Sequence, residues 1–182
     1  MPEIADRYRR LSGTFADRID AVPADRWSSQ SPCPDWSAQE LVDHVVSAQA
    51  MFLGFINEEM PPGPDAADDP AAAWAHASGV IQSALDDPTR AGTTFNGFFG
   101  ESTFEAAVDR FLNFDLVVHG WDLARATGGD EHIDDADAQR VIESAGEFGD
   151  ALRSPQVCGP EVSVSDDADL TARMLGIVGR TA

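Results

Sequence analysis

Apolar residues recur at spacings of three and four along most of this chain, and proline or glycine interrupts the pattern between one run and the next. A chain punctuated in this way folds as amphipathic helices joined by loops. The first stripe is Ile4, Tyr8, Leu11, Phe15, Ile19 and Val22, and Pro23 ends it. Residues 28–36 contain Pro32 and Pro34 and read as a loop. Ser37 and Glu40 then form a capping box that opens a second helix, with its stripe at Leu41, Val45, Ala48, Phe52 and Phe55. The run from Pro61 to Pro70 is an exposed loop, and Asp69-Pro70 is an N-cap followed by proline at the first helical position. A third helix follows through Trp74, Ala77, Ile81 and Leu85 to a stop near Pro88.

The segment from Arg90 to Ser102 carries three glycines and reads as a loop with one short strand, in which Phe95, Phe98 and Phe99 fold onto something apolar. A fourth helix starts near Ser102-Thr103, with Glu105 as box partner, and runs through Phe111, Leu116 and Leu123 to Gly128-Gly129. A fifth begins near Asp134-Asp135. Val157 to Ser165 reads as extended, and a short helix covers 168–178. The expected fold class is all-α: four long helices in an antiparallel bundle, with smaller pieces over it. It is read as a single domain spanning 1–182, with 134–182 as a C-terminal extension.

Charge narrows the function. Lys plus Arg number 12 against 32 for Asp plus Glu, a formal net charge of −20. All the basic residues are arginines. A surface of this sign disfavours nucleic acid and anionic membranes as partners. The absence of lysine removes Schiff-base and P-loop chemistry. Cys33 and Cys158 are too few for a disulfide scaffold, and no apolar run approaches the ~18 residues of a membrane span. A reducing, cytoplasmic setting is the expectation. A homodimer is expected only on the general prevalence of two-fold symmetry.

The chain has four histidines. His44 lies beside the buried stripe of the second helix. His119 lies four residues after Asp115 on the fourth, so the two side chains share a face. A carboxylate and two imidazoles make the three-ligand set of a catalytic zinc site with an open fourth position. The same donors suit Ni²⁺, Fe²⁺ or Mn²⁺. Spacing alone reads first as a local Asp115–His119 hydrogen bond and an ordinary core role for His44. Asp43 or Asp122 stands ready to orient a histidine. His76 and His132 read as surface residues without a role. Cys33 stands ahead of a helix N-terminus, where a thiolate is favoured, but reads first as a small packed residue. Trp36 and Trp121 read as core or pocket wall.

Two segments carry a resemblance. Ser31-Pro32-Cys33-Pro34-Asp35-Trp36 with Leu41 and His44, and the later run Asp115-Leu116-Val117-Val118-His119-Gly120-Trp121-Asp122, are similar to the two signatures of the mycothiol-dependent maleylpyruvate isomerase N-terminal family. That family belongs to the DinB-like (YfiT-like) metal-binding four-helix bundles. The ending Gly159-Pro160-Glu161-Val162 with Gly179-Arg180 resembles a small actinobacterial branch of it. The resemblance implies His44, Asp115 and His119 as metal ligands, zinc first and nickel second, and mycothiol as the thiol. It implies a divalent-metal-dependent thiol transferase or isomerase acting on a small electrophile. Where the characterised isomerase carries glutamate this chain has Asp115, one methylene shorter, so the helices must lie closer or the metal sit off-centre. The isomerase's additional C-terminal domain is represented at most in reduced form by 134–182. Two other readings stay open: a non-enzymatic bundle binding a small apolar ligand over a vestigial metal site, and a purely structural protein in which Asp115–His119 is a core hydrogen bond.

Overall fold

The computed structural model describes residues 2–97, 100–154 and 157–182. They are mostly helical. The chain divides into two compact units, Met1–Asp130 and Glu131–Ala182.

The first unit contains the long helices α1 (Pro2–Asp20), α2 (Ala38–Gly54), α3 (Pro70–Asp86) and α6 (Asn113–Thr127). Both α1 and α2 pack against α3 and α6. The apolar stripes supply the interfaces: Tyr8, Leu11, Phe15 and Ile19 of α1 and Leu41, Val45, Ala48 and Phe52 of α2 are all buried. The Ser37–Glu40 capping box is present, with the Ser37 backbone N–H donating to Glu40 Oε2 at 2.8 Å. Asp69 caps α3 through Ala72 N–H at 3.0 Å. Two polar links cross the core. The Tyr8 hydroxyl donates to Gln49 Oε1 at 2.7 Å, and Trp74 Nε1–H donates to the Ser12 carbonyl at 3.1 Å. Burial holds the Tyr8 hydroxyl neutral by pushing its pKa well up.

Four details of this unit differ from the sequence expectations. A short helix α4 (Pro88–Ala91) follows α3. The glycine-rich segment forms a two-stranded antiparallel hairpin, β1 (Thr94–Gly97) with β2 (Gly100–Thr103), instead of one strand. Phe95 pairs with Ser102, and Phe98 and Phe99 lie outside the described residues. Next comes α5 (Phe104–Ala107), capped by the Thr103 hydroxyl on Ala106 N–H, so the cap sits one residue later than a Glu105 box partner requires. A π-helical turn, Val108–Leu112, joins α5 to α6, with Asn113 N–H donating to the Val108 carbonyl. Such a turn adds a single residue to a helix, often beside a functional site, and a periodic apolar pattern cannot reveal it.

The second unit holds α7 (Asp135–Phe148), a 3₁₀ turn (Gly149–Arg153) and α8 (Leu170–Ile177), which packs on α7. The stretch from Val157 to Ser165 forms no strand. It is tied down by Val162 N–H on the Gly176 carbonyl and by Arg153, which donates to the carbonyls of Gly159 and Ile177. Among the described residues no helix is long and apolar enough to cross a membrane.

Gly128 ends α6 in the left-handed region at φ 77°, with no atom near enough to obstruct a side chain. The cost of a side chain there is therefore conformational alone. Gly128→Ala should lower stability by about 1 kcal/mol, read as a shift in the urea midpoint with an unchanged slope.

Candidate metal centre

Helical repetition builds one wall of the site. Asp115, His119 and Asp122 stand at i, i+4 and i+7 on α6 and so share one face. His44 projects from the facing helix α2. One ligand-capable atom each from His44, Asp115 and His119 lies within 4.8 Å of the other two. Among the described residues neither His44 nor Asp115 makes a hydrogen bond. Polar groups shielded from solvent usually find a protein partner. Here they converge on a common point instead.

Behind this triad sits Asp122, fully buried. Its Oδ2 lies 3.0 Å from His119 Nδ1. A carboxylate can only accept, so Nδ1 carries a proton, and Nε2 is the nitrogen that becomes a lone-pair donor when the ring is neutral. The carboxylate thereby fixes the tautomer that a ligating histidine needs. Asp43 has no such part: it is exposed on α2 and makes no hydrogen bond to His44 among the described residues.

The proline-containing loop supplies the remaining wall. Ser31 N–H and Ser31 Oγ–H both donate to the Trp36 carbonyl, at 3.0 and 2.7 Å, and Trp36 N–H donates to the Cys33 carbonyl at 3.1 Å. The Gln30 amide donates into the same ring of carbonyls, including those of Cys33 and Trp36 at 2.9 Å each. The loop is thus closed on itself and aims two side chains at the centre. Trp36 stacks on His44 with ring centroids 4.3 Å apart, and meets His119 edge-on at 5.9 Å. The Cys33 thiol donates to Asp122 Oδ2 at 3.6 Å. Trp36 is therefore pocket wall. Trp121 is buried, with the Arg125 guanidinium 4.7 Å from its ring. Gly120 leaves the space that the end of the Arg18 side chain occupies, and a Cβ there would require that guanidinium to shift.

Away from the triad on α2 and α6 lies an aromatic cluster. Phe52 meets Phe111 at 5.9 Å and Phe55 at 5.0 Å, and Phe55 stacks on Phe95 of the hairpin at 4.9 Å. The expectation that Phe95 folds onto something apolar is met by Phe55. His76 bonds the Pro61 carbonyl at 2.9 Å and braces that loop, while His132 is exposed and pairs with Asp134. Neither belongs to the centre. Cys33 and Trp36 are the site members that local sequence patterns left without an assigned role.

The electrostatics follow from this arrangement. Burial opposes a charge on His119, but the bonds to Asp122 and Cys33 and the charges of Asp115 and Asp122 outweigh it and push its pKa up to about 10. Burial, together with the charge on His119, pulls His44 down to about 4. Burial raises the Asp115 carboxyl, opposed by His119. Near neutrality and without metal, His119 is an imidazolium and His44 is neutral.

A family model described as the mycothiol maleylpyruvate isomerase N-terminal domain matches residues 8–124. These contain the loop, the triad and Asp122. Two uncharacterized proteins of Mycobacterium tuberculosis, from strains CDC 1551 / Oshkosh and ATCC 25618 / H37Rv, are each 28% identical over 160 residues. Each match covers 88% of this chain and 85% of the relative. No solved structure matches.

Histidine titrations by NMR should show His119 holding its proton to about pH 10 and His44 remaining neutral down to about pH 4. The raised pKa of His119 contributes stability that is complete below its ordinary 6.5 and is lost as pH rises through about 10. The lowered pKa of His44 acts at the other end, because below 6.5 the unfolded chain takes up a proton that the folded one refuses until about pH 4. Asp122→Asn should lower the His119 pKa by about one unit or more.

Proposed function

The chain belongs to the mycothiol maleylpyruvate isomerase N-terminal domain family, and from that premise we propose that its four long helices form a DinB-like antiparallel bundle holding a divalent metal on His44, Asp115 and His119. The observation that carries this reading is the convergence of these groups within 4.8 Å while His44 and Asp115 lack any hydrogen-bond partner among the described residues. Two imidazoles and one carboxylate are the donors of a catalytic zinc site, and nickel accepts the same set. Three protein ligands leave a coordination position for an exogenous group.

The function is a metal-dependent transfer or isomerisation in which a small thiol, mycothiol by family, adds to a small electrophile. The metal, when bound, supplies the positive charge that favours the thiolate over the thiol. The protein's own groups do the rest. Asp122 keeps Nδ1–H of His119 in place so that Nε2 faces the centre. Trp36 holds the plane of the His44 ring by stacking on it. The half-buried setting of His44 and Asp115 limits water at the reacting sulfur and strengthens the local field. Asp115 makes do with a shorter arm than glutamate because α2 and α6 bring its carboxylate within 4.8 Å of both imidazoles. The proposed setting is the cytoplasm.

Elemental analysis of untagged protein prepared without chelator tests this reading. About one equivalent of zinc or nickel is expected, and His44→Ala, His119→Ala and Asp115→Ala should each lose it. Full occupancy in the histidine variants would sink the proposal. Because metal must displace the His119 proton, the zinc affinity should rise about tenfold per pH unit between pH 6 and 8, with one proton released per ion. Competition titrations with a zinc chelator at three pH values measure the slope, and a flat profile speaks against His119 as ligand. Metal-loaded protein should then accelerate mycothiol addition to a dinitrophenyl halide, with the chelated protein as control.

A further inference from the structure

Among the described residues of the first unit, two large apolar side chains are exposed, Met51 at 57% and Phe55 at 37%. Both stand on α2, seven and eleven residues after His44. Steps of seven and eleven return to a helix face within about 20°. The side of α2 that presents His44 to the candidate centre therefore continues as apolar surface for about 16 Å toward the end of the helix. The buried stripe of Leu41, Val45, Ala48 and Phe52 lies beside this line, so core packing does not account for it. Across from α2, Phe111 stands four residues before Asp115, and both are half-buried. Phe52 joins the two sides, meeting Phe55 at 5.0 Å and Phe111 at 5.9 Å, and Phe55 stacks on the half-buried Phe95 at 4.9 Å. The result is a row of rings that starts one helical turn from Asp115 and ends at the hairpin. Single exposed apolar residues need no explanation, but a contiguous patch running out of a polar site does.

We infer that this ledge is the subsite for the body of the electrophile, and that Met51, Phe55, Phe95 and Phe111 select electrophiles carrying an extended, uncharged apolar chain. The inference rests on the metal and thiol reading above for the reaction, but not for the binding. Three observations favour this occupant. The ledge is continuous with the candidate centre, so a chain lying on the rings brings its reactive end to the open coordination position. Four side chains are far fewer than the roughly 20–30 residues a side of a stable protein interface. A net charge of −20 opposes an anionic lipid surface. Ring faces and a flexible thioether suit an alkyl chain, because they give contact without demanding one shape. An unsaturated aldehyde shows how the reaction closes. The thiolate sulfur bonds the β-carbon, the C=C electron pair shifts through the α-carbon onto the carbonyl oxygen as an enolate, and the α-carbon takes up the proton that the thiol released. No oxidant or further reactant is consumed.

The test uses the full chain and two graded series of probes. In metal-free protein, butanol, hexanol, octanol and decanol are titrated while the Met51 methyl resonance is followed by NMR. Affinity should rise about twofold per added methylene, the square root of the roughly fourfold that complete burial gives, because the ledge covers one side of the chain. Met51→Gln and Phe55→Gln, both at exposed positions, should flatten this dependence, and Val164→Gln, exposed in the second unit, should leave it as in wild type. In metal-loaded protein with mycothiol, the KM for butenal, hexenal, octenal and decenal should fall along the series, with kcat nearly constant, and the same two variants should flatten the fall. A wild-type alcohol affinity that does not change with chain length overturns the inference, as does a slope that survives both α2 variants. Self-association in sedimentation that Met51→Gln abolishes would assign the ledge to a second copy and overturn it too. Should the protein bind no metal or turn over no alkenal, the metal and thiol reading fails by itself, and the alcohol series still decides whether the ledge binds an apolar chain.

Discussion

The hydrogen bond from His119 Nδ1–H to Asp122 is the interaction on which the site depends. It joins a fully buried carboxylate to an imidazole three residues earlier on the same helix, at 3.0 Å. A buried carboxylate without a partner is costly, and so is a buried imidazole free to rotate between tautomers. Together they satisfy one another. The same bond commits Nδ1 to Asp122, so Nε2 is the nitrogen left to a metal once the imidazolium gives up a proton. The loop between α1 and α2 then completes the surroundings by stacking Trp36 on His44 and bringing the Cys33 thiol to Asp122. If the Asp122 bond were lost, the triad would have three members but no fixed orientation for one of them.

Electrostatics give the arrangement a direction. In a chain of net charge −20 the site gathers two more carboxylates around one histidine. The consequence is a histidine that stays charged and a neighbouring histidine, 5.2 Å away ring to ring, that cannot. The charged imidazole takes the place that a cation would fill, and it meets part of the demand of Asp115 for a positive neighbour. A divalent ion on the proposed ligands would meet that demand more completely, at the expense of one proton. On that proposal the metal-free and metal-loaded states would be two ways of balancing the same pair of carboxylates, with His44 already in the neutral form.

The elements that were legible in the sequence are those set by local geometry. Helices with stripes such as Tyr8, Leu11 and Phe15 follow from a 3.6-residue period, and the Ser37 cap and Gly128 stop follow from backbone chemistry at single positions. The pairing of Asp115 with His119 needed nothing beyond the i, i+4 rule. That rule also separates Asp122 from Asp43: a residue three positions away on a helix faces its partner, whereas an adjacent one points about 100° aside. Other features depended on contacts remote in sequence. Nothing near Cys33 announces a carboxylate on α6, and nothing near Trp36 announces that its ring will cover His44. The second strand of the hairpin was hidden because Gly100-Glu101-Ser102-Thr103 contains no apolar residue to alternate. The π turn was hidden because an extra residue in a helix leaves the stripe almost unchanged.

The π turn and the closed loop are physically connected through what lies between them. The turn ends at Leu112, and α6 resumes at Asn113, two residues before Asp115. The helix segment that carries Phe111 is thereby offset from the segment that carries Asp115 and His119. Phe111 meets Phe52 of α2, while Asp115 meets His44 of the same helix, so two different registers of one helix are matched to one continuous partner. Below Asp122 the loop is fixed by backbone hydrogen bonds and the Gln30 amide. The candidate ligands are therefore flanked on both sides, by aromatic packing on one and by a hydrogen-bonded ring on the other. His44 and Asp115, partly exposed and without a hydrogen-bond partner among the described residues, face one another across this held frame. Their lack of partners is the counterpart of the satisfaction that Asp122 gives to His119.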